Sequence, residues 1–179
     1  DYAEPGALFW DRIEGWNLLT NTEEFSYAGV NPCAEEPLPA GGSCLLGSIN
    51  LSEFVQNPFT GHAEFDFEGL KRCVEVSVRA LNEVLEEGLP LHPLQEQRES
   101  VAKWRQIGLG IMGLADCLIK LGLTYGEEDA VEMCDNIGFA MADSAIAASA
   151  MLAKEKGTFD ACNTEEIIST PYFAANTTE

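Results

Sequence analysis

The last two thirds of the sequence carry a helical pattern of side chains that leaves little room for a sheet. The first long helix is predicted to begin at Asp66, whose side chain can cap it, and to end near Gly88. Its inward face is formed by residues three or four apart, namely Leu70, Val74, Ser77, Leu81 and Leu85. Further helices are predicted over about 99–121 and about 127–156. The small and apolar stretch 140–153 indicates that the last of these is packed on most sides.

Segments typical of strands are few and lie in the first third of the chain. Residues 44–51, CLLGSINL, predict a short apolar strand, and a short helix is predicted before it over about 5–16. A last short helix is predicted to start at Asn163, with Glu166 three residues later as in a capping box. One or two strands beside these helices cannot close a sheet. We therefore expect part of a larger α/β domain, mostly helical in this portion.

Acidic residues dominate the charge of the chain. Thirty Asp and Glu residues stand against ten Lys and Arg residues in 179 residues, which gives a net charge of −20. Direct DNA or RNA binding is not expected, because phosphate contact requires a basic face. The sequence shows no basic-then-apolar leader and no apolar run close to a membrane span, so a soluble, cytoplasmic protein is expected.

The six cysteines, at positions 33, 44, 73, 117, 134 and 162, form no CxxC pair, and only two histidines accompany them. A zinc site is not expected from that spacing. An even number of cysteines allows a disulfide framework, but Cys73, Cys117 and Cys134 lie on apolar helical stripes, which is typical of core thiols in a reducing compartment. Cys33 and Cys44 lie in a loop rich in Gly and Pro, where a thiol can be reached.

The segment 31–35, Asn-Pro-Cys-Ala-Glu, has an amide, a thiol and a carboxylate at alternating positions. Pro32 biases Asn31 away from helix, which favours an extended chain. In an extended chain Asn31, Cys33 and Glu35 would leave the same side of the backbone, as hydrogen-bonding group, sulfur and proton acceptor. Two simpler interpretations remain open: Cys33 is an ordinary buried thiol, and Asn31-Pro32 opens an ordinary turn.

Residues 108–113 match GxGxxG, the pattern of a dinucleotide-binding turn. That function requires an apolar strand just before the first glycine, so that a pyrophosphate meets a helix N-terminus. The preceding residues, VAKWRQ at 101–106, carry two charges and make a poor buried strand. The alternative is that the glycines let helices cross closely. A nicotinamide-dependent dehydrogenase built on Gly108 to Gly113 is the second functional hypothesis.

Two longer segments resemble the catalytic large subunit of ribonucleotide reductases. The first is NPCAEEPLPAGGSCLLGSINL at 31–51, with its N-x-C-x-E pattern and a second cysteine eleven residues after the first. The second is RQIGLGIMGLADCLIKLG at 105–122, which looks like a glycine-bearing helix of that family. The likeness continues to KEKG at 154–157 and covers nearly all of the chain. The wording of the first segment is closest to the adenosylcobalamin-dependent branch.

The resemblance implies a ten-stranded α/β barrel with the Cys33 loop as a central finger. Residues 1–56 would be the finger loop and strand region of a partial barrel domain, and 57–179 its helical region. Cys33 would be the thiyl radical that removes the 3′ hydrogen of a ribonucleotide, and Glu35 would accept the 3′ hydroxyl proton. Asn31 and Ser43 would bind substrate, and Cys44 would be half of a redox-active pair.

The resemblance also implies the cofactor and partners. The radical would come from adenosylcobalamin, or alternatively from a metal-containing radical-generating subunit, and a thioredoxin-like protein would supply electrons. The substrate would be a ribonucleoside di- or triphosphate, and a homodimer is a further expectation. The partner of Cys44 would lie in the remaining parts of the reductase chain, so this polypeptide alone is expected to be inactive. A third hypothesis is a non-catalytic helical association module.

Overall fold

The computed structural model describes residues 6–178 as a mixed α/β structure that is mostly helical. Six short strands and seven helices lie in these residues. In chain order they are α1 (Trp10–Gly15), β1 (Gly29–Val30), β2 (Pro37–Leu38), β3 (Leu45–Asn50), β4 (Val55–Gln56), β5 (Glu64–Phe65), α2 (Phe67–Gly88), α3 (Gln95–Trp104), β6 (Ile107–Met112), α4 (Leu114–Leu121), α5 (Glu128–Lys156), α6 (Thr164–Ile168) and α7 (Pro171–Asn176). Single 3-10 turns follow β3 and α2.

The strands form three separate two-stranded sheets in the described part of the chain. β3 and β6 are parallel and in register from Leu45 opposite Ile107 to Asn50 opposite Met112. β1 pairs with β2, and β4 pairs with β5, both antiparallel. The strand predicted at 44–51 is confirmed as β3. The expectation of one or two strands was too low, because the other strands are mostly two residues long and carry no periodic signal.

The continuous helix predicted over 99–121 is wrong. The chain forms α3, then leaves the helical conformation at Arg105, whose φ is 48°, and runs through β6 before α4 begins. The resemblance of 105–122 to a glycine-bearing helix is corrected in the same way, because its glycines lie in β6 and at the start of α4. Gly108 and Gly110 have low helix propensity, and they lie opposite Leu46 and Ser48 in the parallel pairing with β3.

Helix α2 has the bounds that the sequence predicted, from the Asp66 cap to Gly88. The Asp66 Oδ1 atom accepts a hydrogen bond from the Gly69 amide at 2.8 Å. Its buried face is Leu70, Val74, Val78 and Leu85. Leu70, Val74 and Val78 pack with Ile49 of β3 and with Ile137, Ala140, Ala148 and Leu152 of α5 in one core. Helix α2 therefore joins the β3–β6 pair to α5.

We predict that Asp66→Ala lowers the free energy of unfolding by about 1 kcal/mol, because the first turn of α2 loses its N-cap. The measurement is urea denaturation followed by circular dichroism. The control is Asp135→Ala, which removes an exposed carboxylate in the middle of α5 and should change the free energy by less than about 0.5 kcal/mol. Equal effects of the two substitutions would contradict a specific capping role for Asp66.

Helix α5 has the predicted bounds, but the prediction that it is packed on most sides is wrong for the described structure. Its buried residues, Ala130, Ile137, Ala140, Ala148 and Leu152, lie on one side. Val131 and Met151 are about half exposed, at 51% and 50%. It is the one helix within residues 6–178 that is long and apolar enough to cross a membrane, contrary to expectation. Core helices of soluble proteins meet the same criterion, and α5 packs on α2.

The remaining predictions for thiols and short helices are mostly confirmed. All six cysteines are free; Cys117 is buried, and Cys73 and Cys134 are half-buried on their helices. Helix α6 begins after Asn163, whose Oδ1 atom accepts from the Glu166 amide. The first helix, predicted over about 5–16, is shorter than expected and spans Trp10–Gly15. Position 5 lies outside the described residues.

Candidate active site on the β1–β2 hairpin

The Cys33 segment forms the tight turn of a hairpin. Strands β1 and β2 pair Gly29 with Leu38 and Val30 with Pro37, and residues 31–36 connect them. The Ala34 amide donates to the Asn31 carbonyl oxygen at 2.9 Å, which closes a β-turn with Pro32 and Cys33 in the central positions. The prediction of an extended segment is therefore wrong, and the alternative that Asn31-Pro32 opens a turn is confirmed. Pro32 suits both conformations, because its fixed φ fits extended chain and the second turn position alike.

Asn31 closes the base of this loop. Its side-chain Oδ1 atom accepts a hydrogen bond from the Glu36 backbone amide at 3.0 Å. The backbone amide of Asn31 donates to the Glu36 carbonyl oxygen at 3.3 Å. Ala34 has a φ of 67°, a left-handed conformation that non-glycine residues rarely adopt. The two Asn31–Glu36 bonds and the turn hydrogen bond hold this conformation. A thiol at this turn is thus kept at a fixed place on the hairpin.

Cys33 and Glu35 are both exposed at the tip of the hairpin. In an extended chain, side chains two residues apart lie on one side of the backbone, but this rule does not hold in a turn. The proximity of Cys33 and Glu35 therefore depends on the turn itself. A thiol and a carboxylate two residues apart on one tight turn can reach neighbouring atoms of a single bound molecule. The structure brings Asn31, Cys33 and Glu35 together on this one loop.

Cys44 lies directly before β3 and is half-buried. Burial raises the pKa of its thiol strongly, and the nearby Glu36 carboxylate raises that pKa further. The Sγ atom itself donates to the Leu45 carbonyl oxygen at 3.9 Å. Gly108 of β6 makes room for both groups. A Cβ atom at Gly108 would lie 2.2 Å from Glu36 Oε1 and 3.0 Å from Cys44 Sγ, so any larger residue would displace them.

Sequence reasoning did not identify Glu36 as a site residue. Its position beside Cys44 depends on the hairpin turn and on Gly108, which is more than seventy residues later in the chain. The signal that could have indicated it is local: a second carboxylate follows Glu35 in the loop that joins the two cysteines.

Ser43 faces a different environment from the hairpin tip. It lines a cavity of about 280 Å³ at the C-terminal end of α2. The other lining residues are Leu45, Val84, Leu85, Gly88, Leu91, His92, Pro93 and Val101, and none of them belongs to the β1–β2 hairpin. Among the predicted site residues, Ser43 is thus the one that the structure groups with an apolar cavity.

The glycine motif 108–113 does not form a dinucleotide-binding turn. Such a turn follows a strand, whereas here the first glycines lie inside β6 itself. Only Gly113, with a φ of 69°, stands at the start of α4. A Cβ atom there would lie 2.2 Å from Asn50 Oδ1, so the side chain of Asn50 occupies the space in front of this glycine. Within residues 6–178, no three His, Cys, Asp or Glu side chains form a group that could hold a metal ion.

Comparison with known proteins shows the family to which the chain is similar. Residues 1–175 match the family model described as "Ribonucleotide reductase, barrel domain". The chain is 36% identical over 159 residues to the vitamin B12-dependent ribonucleoside-diphosphate reductase of Thermoplasma acidophilum, and 35% identical over 159 residues to that of Mycobacterium tuberculosis. These alignments cover 89% of this chain but only 20% and 22% of those relatives, so the chain spans about a fifth of their length.

The name of a further relative does not mention vitamin B12. The ribonucleoside-diphosphate reductase subunit alpha of Chlamydia pneumoniae is 38% identical over 116 residues, which are 65% of this chain and 10% of that protein. The family model covers all but the last four residues of the chain, including the hairpin, β3, β6 and α5. The chain therefore belongs to the ribonucleotide reductase barrel-domain family.

Proposed function

We propose that this chain is the central part of the catalytic subunit of a ribonucleotide reductase of the adenosylcobalamin-dependent kind. The observation that carries the proposal is a pair of cysteines near the hairpin. Cys33 is exposed at the hairpin tip, and Cys44 is half-buried just before β3, where the Glu36 carboxylate of the hairpin loop acts on it. Two of the relatives named above are called vitamin B12-dependent ribonucleoside-diphosphate reductases. The activity belongs to the whole protein, of which this chain supplies the radical-bearing loop.

The proposed reaction replaces a C–OH bond of the ribose by a C–H bond. Two thiols supply the two hydrogens, an S–S bond forms, and the hydroxyl group leaves as water. Cys33 removes the 3′ hydrogen atom as a thiyl radical and returns a hydrogen at the end, so it is not consumed. Cys44 and a cysteine outside this chain are consumed as the thiol pair and become a disulfide, which thiol–disulfide exchange with a thioredoxin-like protein would reduce.

Each hairpin residue has a role that its environment supports. Glu35 is exposed beside Cys33 and would accept the 3′ hydroxyl proton as a general base. The Oδ1 atom of Asn31 is engaged by the Glu36 amide, so Asn31 would bind the sugar hydroxyls by donating from Nδ2. Ser43 is proposed to bind substrate from the loop before β3, although it shares its cavity with α2 rather than with the turn.

The exposed thiol of Cys33 fits an external radical source, because a group at the tip of a turn can be approached from outside. When bound, adenosylcobalamin supplies the radical chemistry that converts a thiol to a thiyl radical. Among the residues of this chain, Cys33 is the one that would face it. The role of this chain is to hold the sulfur on a fixed turn.

The open edges of the parallel pair support the proposal that this chain is part of a ten-stranded barrel. In the described residues β3 and β6 pair only with each other, so each has one unpaired edge. Unpaired edges are normally covered or paired in native proteins. Strands from the remaining reductase chain would continue the sheet on both sides, with 1–56 as finger and strand region and 57–179 as helical region. We place the enzyme in the cytoplasm.

We predict that Glu35→Gln in the full-length reductase lowers kcat by about 10²- to 10⁴-fold, the usual contribution of a general base. Nucleotide affinity should stay nearly unchanged, because glutamine keeps the size and the hydrogen-bonding oxygen. The measurements are deoxyribonucleotide formation and equilibrium nucleotide binding. The control is Glu165→Gln, an exposed acid in α6 that should leave both unchanged. Wild-type kcat in Glu35→Gln would remove Glu35 from the reaction.

A further inference from the structure

Glu36 is an acidic residue whose carboxylate is turned inward against a thiol instead of outward to solvent. It is half-buried, whereas its neighbour Glu35 is exposed. Its backbone is held at both groups by Asn31, through the amide at 3.0 Å and the carbonyl oxygen at 3.3 Å. The hairpin turn therefore fixes the place from which the Glu36 side chain extends.

The other end of the Glu36 side chain meets Cys44 in a space that β6 leaves open. The point where a Gly108 side chain would begin is 2.2 Å from Glu36 Oε1, 3.0 Å from Cys44 Sγ and 2.6 Å from Leu46 Cδ2. Carboxylate, sulfur and an apolar side chain therefore converge on one site. Of the three side chains at this site, Glu36 is the acidic one that acts on the Cys44 thiol, and Gly108 of β6 adds no side chain of its own.

We propose that Glu36 is a positioning residue that keeps the hydrogen on the Cys44 sulfur until the nucleotide is reduced. This inference rests on the proposed function, in which Cys44 is one of two consumed thiols. A carboxylate next to a thiol disfavours the thiolate by like-charge repulsion. This repulsion holds Cys44 in its protonated form.

The reaction requires Cys44 to be protonated, because it consumes the hydrogens of two thiols. Reduction of one ribose consumes two S–H hydrogens: one enters the new C–H bond and the other leaves in water, while the two sulfurs join. A Cys44 that had already lost its proton would bring the electrons but not the hydrogen. The thiolate is also the form that reacts with oxidants and foreign disulfides. Glu36 thus protects the stored reducing equivalent between turnovers.

The test is the rate of Cys44 alkylation by iodoacetamide in the reduced full-length protein, measured from pH 7 to pH 10 by peptide-resolved mass spectrometry. In Glu36→Gln the repulsion is removed, so the thiolate forms at lower pH. We expect Cys44 to be alkylated about tenfold faster at a fixed pH, which corresponds to a pKa lower by about one unit. The matched control is Glu35→Gln, which removes the neighbouring exposed charge and should leave the Cys44 rate unchanged.

Glu36→Asp separates charge from packing. It keeps the carboxylate but loosens the contact, so we expect a rate closer to the wild type than to Glu36→Gln. Equal Cys44 rates in the wild type and Glu36→Gln, or equal acceleration in Glu36→Asp and Glu36→Gln, would overturn the inference. Alkylation requires no turnover, so these outcomes judge the Glu36–Cys44 contact alone, and the activity of Cys33→Ser separately judges the proposed reaction.

Discussion

Replacement of Cys33 by serine in the full-length reductase is expected to abolish nucleotide reduction. Serine keeps the turn, because residue 33 donates no side-chain hydrogen bond that closes it; the closing bonds come from Asn31, Ala34 and Glu36. An O–H bond is much stronger than an S–H bond, so a serine cannot serve as the hydrogen-abstracting radical. We expect a loss of at least about a thousandfold, as for the loss of a covalent catalytic group.

The measurement is deoxyribonucleotide formation under saturating substrate, with nucleotide binding as a second readout that should remain. Cys162→Ser is the matched control. Cys162 is half-buried in the segment after α5, apart from the hairpin, and its loss should leave activity intact. Retained reduction in Cys33→Ser would show that the hairpin thiol carries no radical.

Leu70→Ala is expected to have the largest effect on stability. Leu70 is fully buried, at 0% exposure, in the core that joins α2 to β3 and α5. Truncation removes three carbons and leaves a cavity among residues from three elements, which costs about 3 kcal/mol of the free energy of unfolding. Urea denaturation of this chain, followed by circular dichroism, measures the change in midpoint at constant slope.

The control for Leu70→Ala lies on the same helix. Val76 is 68% exposed, so Val76→Ala removes methyl groups that are already in water and should change the free energy by less than about 0.5 kcal/mol. A loss of less than about 1 kcal/mol in Leu70→Ala would mean that the described core is not the one that holds α2 in place.

Helices α2 and α5 could be predicted from the sequence because their signals are local. The Asp66 cap and the repeat of buried side chains fix α2 within one chain segment, and the run before Gly157 fixes α5 in the same way. The packing of α5 could not be read from composition. A run of alanines is compatible with burial on every side, and only the neighbours of the helix decide how much is buried.

Strand β6 was missed for a physical reason. Ile107, Ile111 and Leu114 are spaced as on a helix, and a short apolar run does not distinguish the two conformations. What decides is the pairing of β6 with β3, whose Leu45 lies sixty-two positions before Ile107. A parallel partner at that distance leaves no mark in the periodicity of either segment.

The candidate site was predicted in part. The residue types at 31–35 indicated the chemistry, and the resemblance implied the roles of Cys33, Glu35, Asn31, Ser43 and Cys44, which remain proposals. The turn at Asn31-Pro32 was kept as an alternative and the extended segment was preferred, because Pro32 is compatible with both extended chain and turn. The sequence offered Glu36 only as a second carboxylate in the loop, and its place beside Cys44 could not be predicted because it depends on the space above Gly108.

The central claim is that Cys33 carries the radical and is regenerated, whereas Cys44 is oxidised to a disulfide. A single-turnover experiment tests this claim most directly. The full-length protein would be reduced, freed of external reductant and mixed with ribonucleotide and the radical-generating cofactor, and its cysteines mapped by mass spectrometry. We predict about one deoxyribonucleotide for each active chain, Cys44 in a new disulfide with a cysteine outside residues 1–179, and Cys33 still a free thiol. Product formed while Cys44 remains a free thiol, or a disulfide that contains Cys33, would contradict the account.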